Sequence, residues 1–196
     1  MIRPVAAVLL AALVAPMAQA EPSASPPSFS GLAVAELSLD DLFAKLRDDT
    51  IAKSPAGARI EQEILRRFGR SGSPTVDLLM SWATDAIEKK DFPKALDVLD
   101  QTLMLKPDFA EAWNKRATVY FMMDDYGSSL SDIRATLALQ PRHFGALAGF
   151  GMILQAMDRN DEAIRVYKRA LEIDPRLDKV RESLEALEKA TKGSDI

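Results

Sequence analysis

Hydrophobic positions recur along this chain at the three- and four-residue spacing of helices that bury one face. Leu39, Leu42, Phe43 and Leu46 form one such stripe, with Ser38 placed as N-cap and Asp40 and Asp41 in the first turn. Ser54-Pro55 opens a second helix, where proline suits the first position because its missing N–H is not needed there. Ile60, Ile64 and Phe68 line one face of it, and Gly69 with Gly72 ends it. The pattern predicts a helical hairpin over 38–72. Its stripe must be buried on something downstream, and the expected seat is the first of the units that follow.

From residue 76 the pattern repeats. Pro107, Pro141 and Pro175 stand 34 residues apart, and aligning on them gives units 76–109, 110–143 and 144–177. Each runs an amphipathic helix, a turn, a second amphipathic helix and a proline. Leu105-Lys106-Pro107, Leu139-Gln140-Pro141 and Ile173-Asp174-Pro175 close the three units alike. Proline ends each second helix because the residue before it is pushed out of helical backbone geometry. Residues 178–192 read as a capping helix on the third unit, with Val180, Leu184 and Leu187 as its buried seam and Arg181, Glu182, Glu185 and Glu188 facing water. The chain is expected to fray from Lys192. A free coiled-coil strand would need three or four heptads, which this segment lacks.

The units resemble the tetratricopeptide repeat family, whose pattern runs Trp, Leu, Gly/Ala, Tyr, Ala, aromatic, Ala, Pro. The first unit supplies Leu79, Trp82, Ala83, Ala95, Leu99 and Pro107. The second supplies Trp113, Ala117, Tyr120, Tyr126, Ile133 and Pro141, and the third Leu147, Phe150, Gly151, Leu154, Ala163, Tyr167, Ala170 and Pro175. Departures are Thr102 and Thr136 where Ala is usual, Ser129 for the second-helix Ala, and Arg116 for Leu; they are expected to loosen local packing. The fold class expected is all-α: a solenoid of three helical hairpins flanked by the N-terminal hairpin and the capping helix. A single hairpin cannot hide its own stripe, so stacking of neighbours stabilises the array. Small residues at Ala83, Ala117 and Gly151 let the first helix of each unit approach its partner closely.

The resemblance also implies a function, which is to hold a protein or peptide in the concave groove built from the first helices. Carried over residue by residue, the groove positions are Met80, Thr84 and Ile87 in the first unit. The second contributes Glu111, Asn114, Thr118, Phe121 and Met122, and the third Ala148, Met152 and Gln155. In the chaperone-binding subset of the family, Lys, Asn and Arg clamp a peptide's terminal carboxylate. The corresponding places here hold Met80, Thr84, Lys115, Gly145 and Gly149, leaving one cation. With so many Met and Phe side chains, the groove is expected to take an apolar or amphipathic segment, since methionine adapts to varied partners. Inter-helix packing is the competing reading for each of these residues. Gly145 and Gly149 would either open a notch for a ligand or serve close packing by the hairpin or a neighbouring helix.

Ahead of the hairpin, Met1-Ile2-Arg3, the apolar run Val5 to Ala15, Pro16 and Ala18-Gln19-Ala20 read as a signal peptide over 1–20, cleaved after Ala20. The run is too short to span a bilayer comfortably, which takes about 20 residues. No stable membrane span is expected after its removal. The Pro/Ser-rich stretch 21–37 reads as a disordered linker. A periplasmic location follows as the expectation, with secretion as the alternative. The absence of Cys suits an oxidising compartment and excludes thiolate metal sites.

Composition narrows the chemistry. Of 196 residues 47% are hydrophobic and 28% charged, with a net charge of −4 and no basic cluster, so nucleic acid is not an expected partner. No catalytic group and no cofactor are expected. His143, the sole imidazole, reads as an exposed turn residue, and Gly149-Phe150-Gly151 lacks the third glycine of a dinucleotide loop. A binding protein, acting as a scaffold or chaperone-like adaptor in the envelope, is thus the expected class. The alternatives are a self-assembling structural protein and an accessory subunit of an envelope enzyme complex.

Overall fold

The computed structural model describes residues 31–194, with side chains from 34 to 191. The expected signal peptide and most of the expected linker lie outside them. Four helices come first: α1 (Gly31–Glu36), α2 (Leu39–Leu46), α3 (Asp49–Ala52) and α4 (Pro55–Phe68). Three helix pairs follow, α5 (Pro74–Glu88) with α6 (Phe92–Leu105), α7 (Ala110–Met122) with α8 (Tyr126–Leu139), and α9 (Phe144–Ala156) with α10 (Asn160–Ile173). The last helix is α11 (Asp178–Ser194). No strand occurs among the described residues.

Local chemistry sets the helix ends. Ser38 Oγ accepts from the Asp41 amide at 3.1 Å, and Ser54 Oγ from the Ala56 amide at 3.2 Å with Pro55 next to it. Asp125 caps α8 by accepting from the Ser128 amide at 3.1 Å. The turn inside each pair is built alike: Lys90, Asp124 and Asp158 adopt left-handed backbone with φ of 57°, 60° and 57°. They stand one repeat apart, so the period visible in the prolines recurs in the backbone.

Packing within the pairs explains the small residues. Ala83, Ala117 and Gly151 are buried where the two helices of a pair touch. A Cβ on Gly151 would collide with the ring of Tyr167, which is fully buried on α10. The departures from the family pattern are satisfied rather than loose. Thr102 and Thr136 donate to the carbonyls of Val98 and Asp132, each at 2.9 Å, and Ser129 Oγ donates to the Ala117 carbonyl at 2.7 Å. Arg116 grips Asp132 with two nitrogens at 2.7 and 2.8 Å and reaches Asp100 of the preceding pair at 2.6 Å. Its guanidinium also lies 4.8 Å from the Trp113 ring centre. Where the usual Leu would pack, this arginine cross-links two units by charge.

Val180, Leu184 and Leu187 of α11 join Leu147, Leu154 and Tyr167 in one cluster, so this helix closes the third pair. It stays helical to Ser194, two residues beyond the expected fraying point at Lys192.

The N-terminal hairpin does not sit on the first pair. Leu42, Phe43, Leu46, Ile60 and Ile64 share a cluster with Phe144, and Ile173 and Leu177 pack against it. The hairpin therefore lies along the edge formed by the turns between pairs. Arg142 bonds Asp40 at 2.6 Å and lies over the Phe43 ring; Arg176 bonds Glu61 at 2.8 Å and the Ala52 carbonyl. Phe68 stacks on His143 with ring centres 4.8 Å apart. On α4 itself, Glu63 accepts from Arg66 and Arg67, and the Arg66 fork above all holds its carboxyl at about 2. The stripe was legible in the residues, but a stripe shows that a face is buried and not which surface buries it. One consequence is that Trp82 stays 48% exposed. Its counterparts Arg116 and Phe150 are covered by the preceding pair, and Trp82 has no preceding pair.

Two further expectations change. The spacer over 21–37 is not disordered throughout, because 31–36 form α1, Val34 is buried, and the Ala35 carbonyl accepts from Arg67 at 3.0 Å. Between α2 and α4 the chain adds the single turn α3, capped by Asp48 Oδ1 accepting from the Thr50 amide at 2.9 Å.

Candidate functional site

The inner faces of α7 and α9 lie side by side over α8 and leave a recess of about 370 Å³. Asn114, Thr118, Phe121 and Met122 supply one wall, and Gly145, Ala148, Gly149 and Met152 the other. Ala117, Ser129, Ile133 and Ile153 make the floor. A second recess of about 430 Å³ adjoins it, sharing Phe121 and Met152 and running over Gln155, Ala156 and Tyr167 to Lys179, Val180 and Ser183 of α11. Together they form one trough across the second and third units and the capping helix. Met122 and Met152 are 42% and 47% exposed on its rim and make one continuous apolar surface with the recess they border.

The trough collects part of the set expected from the sequence. Asn114, Thr118, Phe121, Met122, Ala148 and Met152 line the first recess, and Gln155 joins the second. The first-unit residues are not part of it. Met80 is 6% exposed and belongs to the core between α5, α6 and α7, where its flexible side chain fills space; Ile87 packs against that core too. The Thr84 hydroxyl donates to the Met80 carbonyl at 2.8 Å.

Glu111, also expected in the groove, lines neither recess and is engaged by neighbouring side chains. It takes a hydrogen bond from His143 Nε2 at 3.0 Å and one from Asn114 at 3.2 Å, with Lys115 Nζ at 3.7 Å. Burial alone would raise its carboxyl, yet these partners hold it below the ordinary value. His143 is therefore no exposed turn residue. It is 2% exposed, and its Nδ1 accepts from the Ala146 amide at 3.1 Å as the N-cap of α9. That bond requires an unprotonated Nδ1 and leaves Nε2 to donate to Glu111. Imidazole can cap a helix as Asp does, a role its position beside Pro141 did not reveal.

Ile153, Lys179 and Ser183 escaped the sequence reading, and Ala117, Ser129, Ile133, Tyr167 and Val180 were read only as packing positions. The isoleucines lie on packing stripes, and Lys179 and Ser183 belong to a helix read only as a cap. Among the described residues, no group of three or more His, Asp or Glu side chains is placed to hold a metal ion. Nor is any helix long and apolar enough to cross a membrane.

Comparison with known proteins follows the same lines. A family model described as tetratricopeptide repeat matches residues 145–177. A TPR repeat-containing protein of Rhizobium etli is 46% identical over 140 residues, which are 70% of this chain and 66% of that protein. The chain thus spans just under two thirds of that relative. Among solved structures, the first TPR of Spaghetti (RPAP3) bound to an HSP90 peptide superposes with a TM-score of 0.58 at 20% identity, covering 60% of this chain and 95% of the other. The crystal structure of MamA protein superposes with a TM-score of 0.55 at 17% identity, covering 79% of this chain and 83% of the other. At these identities the two structures speak for the fold alone.

Proposed function

We propose that the chain, whose repeats resemble those of tetratricopeptide-repeat proteins, is an exported interaction module that holds an apolar or amphipathic segment of another envelope protein in the trough across its second and third repeats. The observation that carries this reading is the pair of adjoining recesses with an apolar floor and two half-exposed methionines on the rim. Stacked helical hairpins present such concave surfaces to partners. Side-chain burial would supply the affinity, and the polar groups of Asn114, Thr118 and Gln155 would orient the guest. Lys115 leans on Glu111 and the Met80 side chain is buried, so this trough would not read a terminal carboxylate in the manner of the family's chaperone-binding subset. Its role would be that of a scaffold or adaptor, without catalysis of its own.

Photo-crosslinking from position 152 in envelope extract tests the binding reading, with position 104, exposed on α6 and lining neither recess, as control. A discrete adduct from 152 and none from 104 is the expected result. Equal labelling from both, or an adduct unchanged by Phe121→Glu, overturns it. The export reading is tested by the mass of the protein purified from its native host, which should correspond to a chain starting at Glu21. An intact Met1 on the mature protein refutes it.

A further inference from the structure

Two features of the trough lie beyond what the fold requires. Gly149 sits in mid-helix on the wall of the first recess. A Cβ there would meet only Ile133 Cδ1, at 3.7 Å, an ordinary contact. Packing therefore admits alanine at 149, in contrast to Gly151, where the Tyr167 ring forbids it. A glycine inside a helix weakens it, so Gly149 lowers stability without serving the core. What it does is keep the wall open down to Ile133.

The second feature is Lys179. It lines the adjoining recess beside Gln155 and Ser183, and its ammonium has no ion pair or hydrogen bond among the described residues. It is the one charged side chain among the residues that line the two recesses. A lone cation at the end of an otherwise neutral trough complements an anion on the guest.

We propose that the trough selects a linear segment whose bulky apolar side chain seats over Gly149 and whose neighbouring carboxylate meets Lys179. This rests on the trough being the binding site, and it specifies what that site reads. A recess of about 370 Å³ lies at the low end of ligand pockets, roughly 300–1,000 Å³. It suits one large side chain, Phe, Trp, Leu or Met, and not a folded surface. The acidic group then sets the direction in which the segment lies, from α7 and α9 toward α11.

A random peptide display library panned against the full chain tests this. Enriched clones should pair a bulky apolar residue with a nearby Asp or Glu. An enriched peptide, followed by fluorescence polarisation, should lose about two- to fivefold in affinity with Lys179→Glu, the range of an exposed ion pair. Panning against that variant should turn the acidic preference basic. Gly149→Val should weaken binding about tenfold, as overfilling a packed space does. Gly149→Ala should raise the melting temperature while weakening binding less, which separates a filled recess from a damaged helix. Clones that lose binding with Met152→Glu but keep the same consensus and affinity with Gly149→Val and Lys179→Glu overturn this inference and leave the trough reading standing. Clones indifferent to Met152→Glu, or none enriched, overturn both.

Discussion

The Arg116 cross-link between the first two repeats makes a quantitative claim that can be checked. Asp132 is 5% exposed in its side chain and takes two hydrogen bonds from Arg116, which is itself 17% exposed. Asp100, at 55% exposure, is a peripheral partner worth under about 1 kcal/mol. Arg116→Met removes the charge but keeps most of the volume, so the loss is dominated by a buried, unpaired carboxylate. Breaking such a pair costs about 3–5 kcal/mol, and the lower end applies because Arg116 retains some solvent. At this chain length each kcal/mol moves the midpoint by about 2–4 °C, so a drop of roughly 6–12 °C is expected at pH 7.5. Circular dichroism melts at 222 nm would measure it. Arg116→Leu with Asp132→Leu should recover most of the loss, because two apolar side chains of similar size replace a buried pair at little net cost. Single substitutions that each shift the midpoint by less than about 2 °C, or a double variant that loses the sum of both, would refute the reasoning.

Other consequences can be measured alongside. Asp174 is fully buried with Oδ2 unpartnered, and burial pushes its carboxyl up to about 6. A folded-state value above the unfolded one means ionisation penalises the fold above pH 6, and the penalty is relieved as pH falls toward 4. Asp174→Asn should therefore stabilise the protein by about 1–2 kcal/mol at pH 7.5 and by little at pH 4.5, as read by urea titration at the two values. Glu63, held at about 2, has the opposite sign: its contribution is complete above pH 4.5 and fades as pH falls toward 2, so Glu63→Gln should cost stability at neutral pH and nothing at pH 1.5. Lys90→Gly and Asp158→Gly relieve left-handed backbone and should each add about 1 kcal/mol in a thermal melt. Phe144→Ala opens the seat of the N-terminal hairpin and should cost about 3–5 kcal/mol, with hydrogen exchange accelerating in 39–68 before it does in α5 and α6.

The repeat and its helices were legible because period, proline and capping residues act locally. The spacing of Pro107, Pro141 and Pro175 reappears in Lys90, Asp124 and Asp158, since each unit solves the same turn in the same way. The seat of the hairpin was not legible. Leu42, Phe43, Ile60 and Ile64 say only that they avoid water, and the turn residues Phe144 and Leu177 that receive them carry no pattern of their own. The trough was legible in its second and third units, where Phe121, Met122 and Met152 face inward and stay partly open. It was misread in the first, where Met80 at an equivalent position turns into the core. Register fixes where a Cβ points, while a long unbranched side chain chooses its own burial. His143 was misread for a related reason: Glu111 and Phe68, which make it structural, come from distant parts of the chain.

Solenoids ordinarily behave as springs, each turn touching only its neighbours and opening from either end. Here Asp40 meets Arg142 and Glu61 meets Arg176, partners 102 and 115 residues apart. These ties join a buried cluster that seats the hairpin on Phe144, Ile173 and Leu177, so parting the third pair from its neighbours also breaks up a second hydrophobic core. Such distant closures also come late and slowly in folding, which puts docking of the N-terminal hairpin among the last events as the chain acquires its shape.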